Sequence, residues 1–180
     1  MTALIGTVSA VAVPGILATV DESRAIGAAR YLSTRLQQAR MEAITRSADV
    51  GIKFVEEAGG YSYTTYVDGN GNGVKTAEIL HAIDPPIRQA ERLRDLFYGV
   101  DFGVLPELPP VESGGAPPGS DPVKLGAAKI LTFTPAGTSS SGSLYILGRK
   151  GTQYVIRIFG ETGKTRVLKF DPRARRWKPL

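Results

Sequence analysis

Two stretches of this chain carry residues whose types and spacing could do chemistry. Asp68-Gly69-Asn70-Gly71-Asn72-Gly73 sets oxygen ligands at alternate positions and follows them with glycine. The first half of a calcium loop has this form. The bidentate glutamate such a loop needs at its twelfth position is replaced by Ile79, with Glu78 one residue early. The same residues also make an Asn/Gly turn, because they tolerate positive φ. Asp68, Asn70 and Asn72 therefore stand as either a low-affinity calcium site or a turn. The second stretch is the C-terminus. From Arg149 to Leu180, basic residues stand at 149, 150, 157, 164, 166, 169, 173, 175, 176 and 178, against Glu161 and Asp171. Arg173, Arg175, Arg176 and Lys178 surround Trp177. Guanidinium groups bind phosphate and an indole can stack on a base, so this stretch is a candidate DNA contact. Its other readings are a solvated tail, or a strand whose cations face water or a neighbouring subunit.

Little else could support a reaction. Cysteine is absent and His81 is the single histidine, which excludes thiolate chemistry, histidine-rich metal sites and most acid–base triads. Thr138-Ser139-Ser140-Ser141 has no base to activate a hydroxyl. Glu56 with Glu57, and Glu91 with Asp95, read as charges on a solvated face. No catalytic residue, enzyme activity or cofactor is expected, the calcium alternative aside. The net charge of +5 and pI near 9.6 permit contact with anionic lipid or nucleic acid. A mean hydropathy of -0.05 excludes a polytopic membrane protein.

The elements that must position these residues begin with a helix. Met1–Val20 holds no charged residue; Asp21, Glu22 and Arg24 are the first. As a helix, such a run extends about 30 Å, close to the hydrocarbon core of a bilayer. Its many small residues (Ala3, Gly6, Ser9, Ala10, Ala12, Gly15, Ala18) suit close helix packing, and Pro14 removes one backbone donor in its middle. Ala10-Val11-Ala12 resembles a signal-peptide cleavage site, but no basic segment precedes it. Beyond Val20, Ala25, Ala28, Leu32, Leu36, Ala39 and Ala43 recur at spacings of three and four, the apolar face of an amphipathic helix. The spacing predicts one helix over about 2–46.

From Val50 the period becomes two. Strands are predicted over 50–56, 61–67, 98–104, 129–133, 143–147, 152–159 and 165–170, with a short helix around 86–97. Residues 105–125, with six prolines and several glycines, read as a long mobile surface loop, either disordered or contacting a partner. The expected fold class is α+β: a long N-terminal helix over 1–46, packed by its rear half on a mostly antiparallel β-sheet head over 47–180.

The apolar start Leu4-Ile5-Gly6-Thr7-Val8-Ser9-Ala10-Val11-Ala12-Val13-Pro14 resembles the helix start of the type IV pilin superfamily. Leu36-Gln37-Gln38-Ala39-Arg40-Met41-Glu42-Ala43-Ile44-Thr45-Arg46 resembles the L-x-x-A-R-x-E-A-I-x-R pattern of GspH/FimT-type minor pseudopilins. The resemblance is carried by residues 1–55 and is architectural beyond them. The family's basic leader, Gly–Phe-like cleavage site and early glutamate are not among these residues, and alignment on Pro14 puts them before Met1. The resemblance implies a minor pilin-like subunit of a type II secretion pseudopilus or type IV pilus. Such a subunit sits in the bacterial inner membrane by a single pass, with its head in the periplasm, before joining a filament. Its partners would be other pilins or pseudopilins and the assembly machinery. Leu4, Ile5, Val8, Val11 and Pro14 would pack in membrane and filament; Leu36, Ala39, Arg40, Glu42 and Ala43 would join helix to head. Some relatives act in DNA uptake, so a DNA-binding pilus component is the alternative function.

Overall fold

The structure is a computed structural model; it describes the backbone of residues 3–180 and the side chains of residues 19–180. Helix α1 runs Ala3–Arg46. Ala25, Ala28, Ala29, Leu32, Leu36, Ala39 and Ala43 are buried along one face of it. Alanines at most of these positions let the backbone lie close to the sheets, while Leu32 and Leu36 fill the remaining depth. Full burial of each leucine contributes about 2 kcal/mol. Among the described residues, no helix is long and apolar enough to cross a membrane.

The head has two antiparallel sheets. Strands β1 (Val50–Glu57), β2 (Gly60–Val67) and β5 (Ile130–Phe133) form one, in the order β2-β1-β5. The other has the order β3-β6-β7-β8-β9, with β4 also pairing β6. Its strands are β3 (Val100–Phe102), β4 (Val123–Lys124), β6 (Gly142–Gly148), β7 (Gln153–Phe159), β8 (Lys164–Asp171) and β9 (Arg176–Pro179). The main core lies between α1 and both sheets, and gathers Ile52, Phe54, Leu131, Phe133, Leu144, Ile146, Tyr154, Ile156 and Ile158. The alternation read from the sequence sets these faces: Val50, Ile52 and Phe54 point inward from β1 and pair in register with Val67, Thr65 and Tyr63. The architecture is α+β, helix on antiparallel sheet.

Two expectations change. The helix predicted over 86–97 is confined to α3, Leu93–Leu96. Pro86–Glu91 runs extended along the free edge of β2 instead, with Ile87 N–H donating to Thr65 O (2.8 Å) and Glu91 N–H to Tyr63 O (2.9 Å). The tandem prolines disfavour helix here, and an unpaired strand edge offers their neighbours backbone partners. A short helix α2, Thr76–Leu80, lies in the connection before them.

The loop over 105–125 is tied down. Tyr145, Val155 and Leu168 line the face of the large sheet turned away from α1, and Leu108 is buried against them. Leu105 N–H donates to Gln153 Oε1 (2.9 Å), Glu112 pairs with Arg157 (2.8 Å), and the segment ends by adding β4 to the sheet. An antiparallel sheet with apolar side chains on both faces needs cover on both; α1 supplies one and the proline-rich segment the other.

Candidate functional site

The junction between α1 and the head concentrates the chain's side-chain chemistry. At the start of the described side chains, Asp21 is 6% exposed. Its Oδ2 accepts from Lys150 N–H (3.1 Å) and Thr152 Oγ1 (3.2 Å), which fastens the β6–β7 turn to the helix. Gly148 is required there, because a Cβ would stand 2.7 Å from Asp21 Oδ2 and 3.3 Å from Ala25 Cβ. Gly27, the weakest helix former of this stretch, has a similar reason: its bare backbone seats the Phe97 ring, 3.1 Å from where a Cβ would be.

One turn on, Glu91 is the hub of a polar cluster. Its Oε2 accepts from Tyr31 Oη (2.8 Å), Tyr63 Oη (3.1 Å) and Arg35 Nε (3.2 Å), and its Oε1 pairs with Arg35 Nη2. The cluster joins α1, β2 and the 86–92 segment. Burial, then the Glu91 charge, pushes the Tyr63 hydroxyl far above its ordinary range and raises Tyr31 as well. The sequence placed Glu91 on a solvated face; the structure places it a fifth exposed beneath two tyrosines. A heptad reading could have shown Tyr31 and Arg35 together at i and i+4, but nothing local marks Glu91 as their partner.

The motif residues follow. Leu36, Ala39 and Ala43 are buried. Arg40 Nε donates to Gly137 O (2.8 Å) and its side chain fills the space beside Gly163, so it clamps the β5–β6 and β7–β8 turns to the helix end. Glu42 pairs with Arg46 one turn along (2.7 Å) and with Arg88 across the junction (3.7 Å). Ser33 and Gln37 meet Thr165 Oγ1 at 2.9 and 3.2 Å. Chemically, this junction joins the helix to the head through hydrogen bonds and ion pairs. Leu4, Ile5, Val8, Val11 and Pro14 lie outside the residues whose side chains are described.

The C-terminal residues divide. Trp177 Nε1 donates to Pro109 O (3.0 Å), and its indole packs with Phe170 and Tyr145 (centroids 5.4 and 6.1 Å). Arg175 donates to Glu107 O (3.2 Å) and Lys178 pairs with Asp171 (2.6 Å). Arg173 and Arg176 are exposed, with no side-chain partner among the described residues. Asp171 also accepts from Arg173 and Ala174 N–H (2.9 and 3.2 Å). The Lys178 hydrogen bond, with these amides, holds its carboxyl down at about 2. A depressed carboxyl stabilises the fold fully above its unfolded value near 3.8, and that contribution is lost as pH falls toward 2. Acidification through this window is therefore expected to loosen the β8–β9 hairpin. Trp177, the single tryptophan, reports it as a red shift in emission. Asp171→Asn should remove the pH dependence, and an emission maximum unmoved in the wild type would refute the assignment.

The Asp68 loop turns inward on itself. Asp68 Oδ1 accepts from Asn70 and Gly71 N–H (3.0 and 2.8 Å) and Oδ2 from Gly73 N–H (2.7 Å). Asn70 Oδ1 accepts from Asn72 N–H (3.3 Å), and Asn72 Nδ2 donates to Glu78 (2.8 Å). Burial works to raise the Asp68 carboxyl, and the backbone donors from Asn70 to Gly73 outweigh it, so it lies below its ordinary range. Asp84, fully buried, accepts from Gly69 and Lys75 N–H. These bonds are those of an Asx-type turn. Among the described residues, no three of His, Asp or Glu are grouped to hold a metal. His81 stands exposed just past α2.

Residues 28–162 match the family described as Type II transport protein GspH. The match takes in the motif-bearing part of the helix and reaches past residue 55 through most of the head, beginning after the apolar start. The structure of the minor pseudopilin EpsH from the type 2 secretion system of Vibrio cholerae is similar over 81% of this chain and 97% of its own, at 17% identity and a TM-score of 0.49. No curated protein matches the chain significantly. With three quarters of its length matched, from the buried face of α1 through the β7–β8 turn, the chain belongs to the type II transport protein GspH family, the GspH-type minor pseudopilins.

Proposed function

We propose that this chain works by assembly: its apolar start holds it in the bacterial inner membrane, its head lies in the periplasm, and it joins other pseudopilins in the filament of a type II secretion system. The observation that carries this reading is the junction. Seven buried apolar positions, the Glu91 cluster, Asp21 and Arg40 fix α1 to both sheets, so a displacement of the helix is transmitted to the head as a rigid body. A charge-free run of bilayer length at the other end of that helix supplies the anchor. Small residues within it suit exchange of lipid contacts for helix contacts during assembly.

Carbonate extraction of membranes from cells expressing the full chain tests the anchor. Wild type is expected to remain with the membranes. A Val8→Arg, Val11→Arg double variant should leave them, since each arginine opposes insertion by about 3 kcal/mol. Wild-type protein released by carbonate would refute the anchor. The geometry of Trp177 supports assembly over DNA contact: its indole edge and face are occupied by the proline-rich segment, Tyr145 and Phe170. Salt-sensitive duplex binding by the full chain, lost in Arg173→Ala, Arg176→Ala, would reverse that preference.

A further inference from the structure

We infer that the end of the head beside the apolar run is a docking surface for anionic phospholipid headgroups, an inference that rests on the anchor reading above. Three segments meet there: the helical turn 21–24, the turn 97–100 and the turn 148–152. Tyr98, 65% exposed, lies between two guanidinium groups. Arg24 Cζ is 5.4 Å from its ring centroid and Arg149 Cζ 5.7 Å, and Arg149 Nη1 donates to Tyr98 Oη (3.1 Å). Lys150 is exposed beside them. Of the neighbouring carboxylates, Glu22 pairs with Lys169, and Asp21 is buried on the turn amide of Lys150 and the Thr152 hydroxyl. Arg24, Arg149 and Lys150 form no ion pair among the described residues, so three cations outnumber the single buried carboxylate of Asp21 around an amphipathic ring.

Position selects the occupant. Arg24 follows the last residue of the charge-free run by four, about 6 Å along the helix axis. The headgroup layer on each side of a bilayer core is about 5–8 Å deep. With the apolar run filling the core, Arg24, Tyr98 and Arg149 stand at headgroup depth. Guanidinium groups chelate phosphate oxygens, tyrosine favours the interface, and clustered cations are drawn to anionic lipid. The contact would set the tilt of the head over the membrane before assembly.

The chain contains no cysteine, so Leu96→Cys, on an exposed position two residues from Tyr98, takes a single fluorophore. The labelled full chain is inserted in vesicles of phosphatidylcholine, with or without phosphatidylglycerol, carrying a headgroup spin label. Quenching is expected to be greater in the anionic vesicles and to fall with added salt. Arg24→Gln, Arg149→Gln, Lys150→Gln should weaken the contact about 5-fold per cation, ~100-fold for all three. Arg24→Lys, Arg149→Lys should retain it. Equal quenching of wild type and triple variant, with both floating on the vesicles, overturns the docking surface and leaves the anchor standing. Failure of the wild type to float with either vesicle removes the anchor and this inference together. Unchanged quenching with loss of co-purifying pseudopilins in the triple variant would assign the surface to an acidic protein partner instead, and overturns the inference.

Discussion

Replacing Glu91 with alanine is expected to destabilise the chain by about 3 kcal/mol in reversible denaturant unfolding. The carboxylate is the common acceptor for Tyr31, Tyr63 and Arg35. Its removal leaves two partly or largely buried phenols and a guanidinium without their acceptor, and unmade bonds to buried groups cost about 1–3 kcal/mol each before relaxation. Arg35 and Glu91 side chains remain roughly a quarter and a fifth exposed, so water recovers part of the loss. Glu91→Gln, which keeps one acceptor and drops the charge, should cost about half as much. A double-mutant cycle with Tyr63→Phe should give a coupling near 1 kcal/mol. If Glu91→Ala unfolds within about 0.5 kcal/mol of wild type, the cluster does not hold the junction. On the assembly function proposed above, the same variant in cells should stay in the membrane fraction while filament assembly falls, because the head would no longer follow its helix.

Leu36→Ala should cost about as much by a different route. Leu36 is fully buried in the core between helix and sheets, and its truncation removes transfer free energy and leaves a cavity among rigid strands. Such changes cost about 2–5 kcal/mol, and at this chain length about 3 kcal/mol lowers the melting temperature by roughly 10 °C. Met41→Ala is the matched control: it lies on the same helix, 56% exposed, and should shift stability by less than about 0.5 kcal/mol. Equal effects at the two positions would mean that α1 does not seat on the sheets by the face described.

The periodic parts of the chain were readable because each repeats a local rule. Spacings of three and four mark the buried face of α1, and alternation marks β1 and the β6–β8 meander. Segments without a period take their shape from partners distant in the chain. Ile87, Leu93 and Phe97 can share a helix face over 86–97, but β2 has a free edge and takes residues 86–91 along it instead. Residues 105–125 have the composition of a mobile loop, yet Leu108 and Pro109 find Val155 and Trp177 waiting on a bare sheet face. The motif around Arg40 pointed to the junction, but its mate, the Gly137 carbonyl, is 97 residues away, and Glu91 is 56 from Arg35.

What the sequence determined alone was whatever depends on composition and near neighbours: the long helix and its apolar face, the strands, the lack of any cysteine, and a family-specific stretch at the helix end. What only the tertiary structure decided was which polar side chains meet. Helix and strand periods arise from backbone geometry within a few residues. A hydrogen-bonded cluster such as Tyr31–Arg35–Glu91–Tyr63 draws on elements brought together by collapse of the core, and no local signal encodes that meeting.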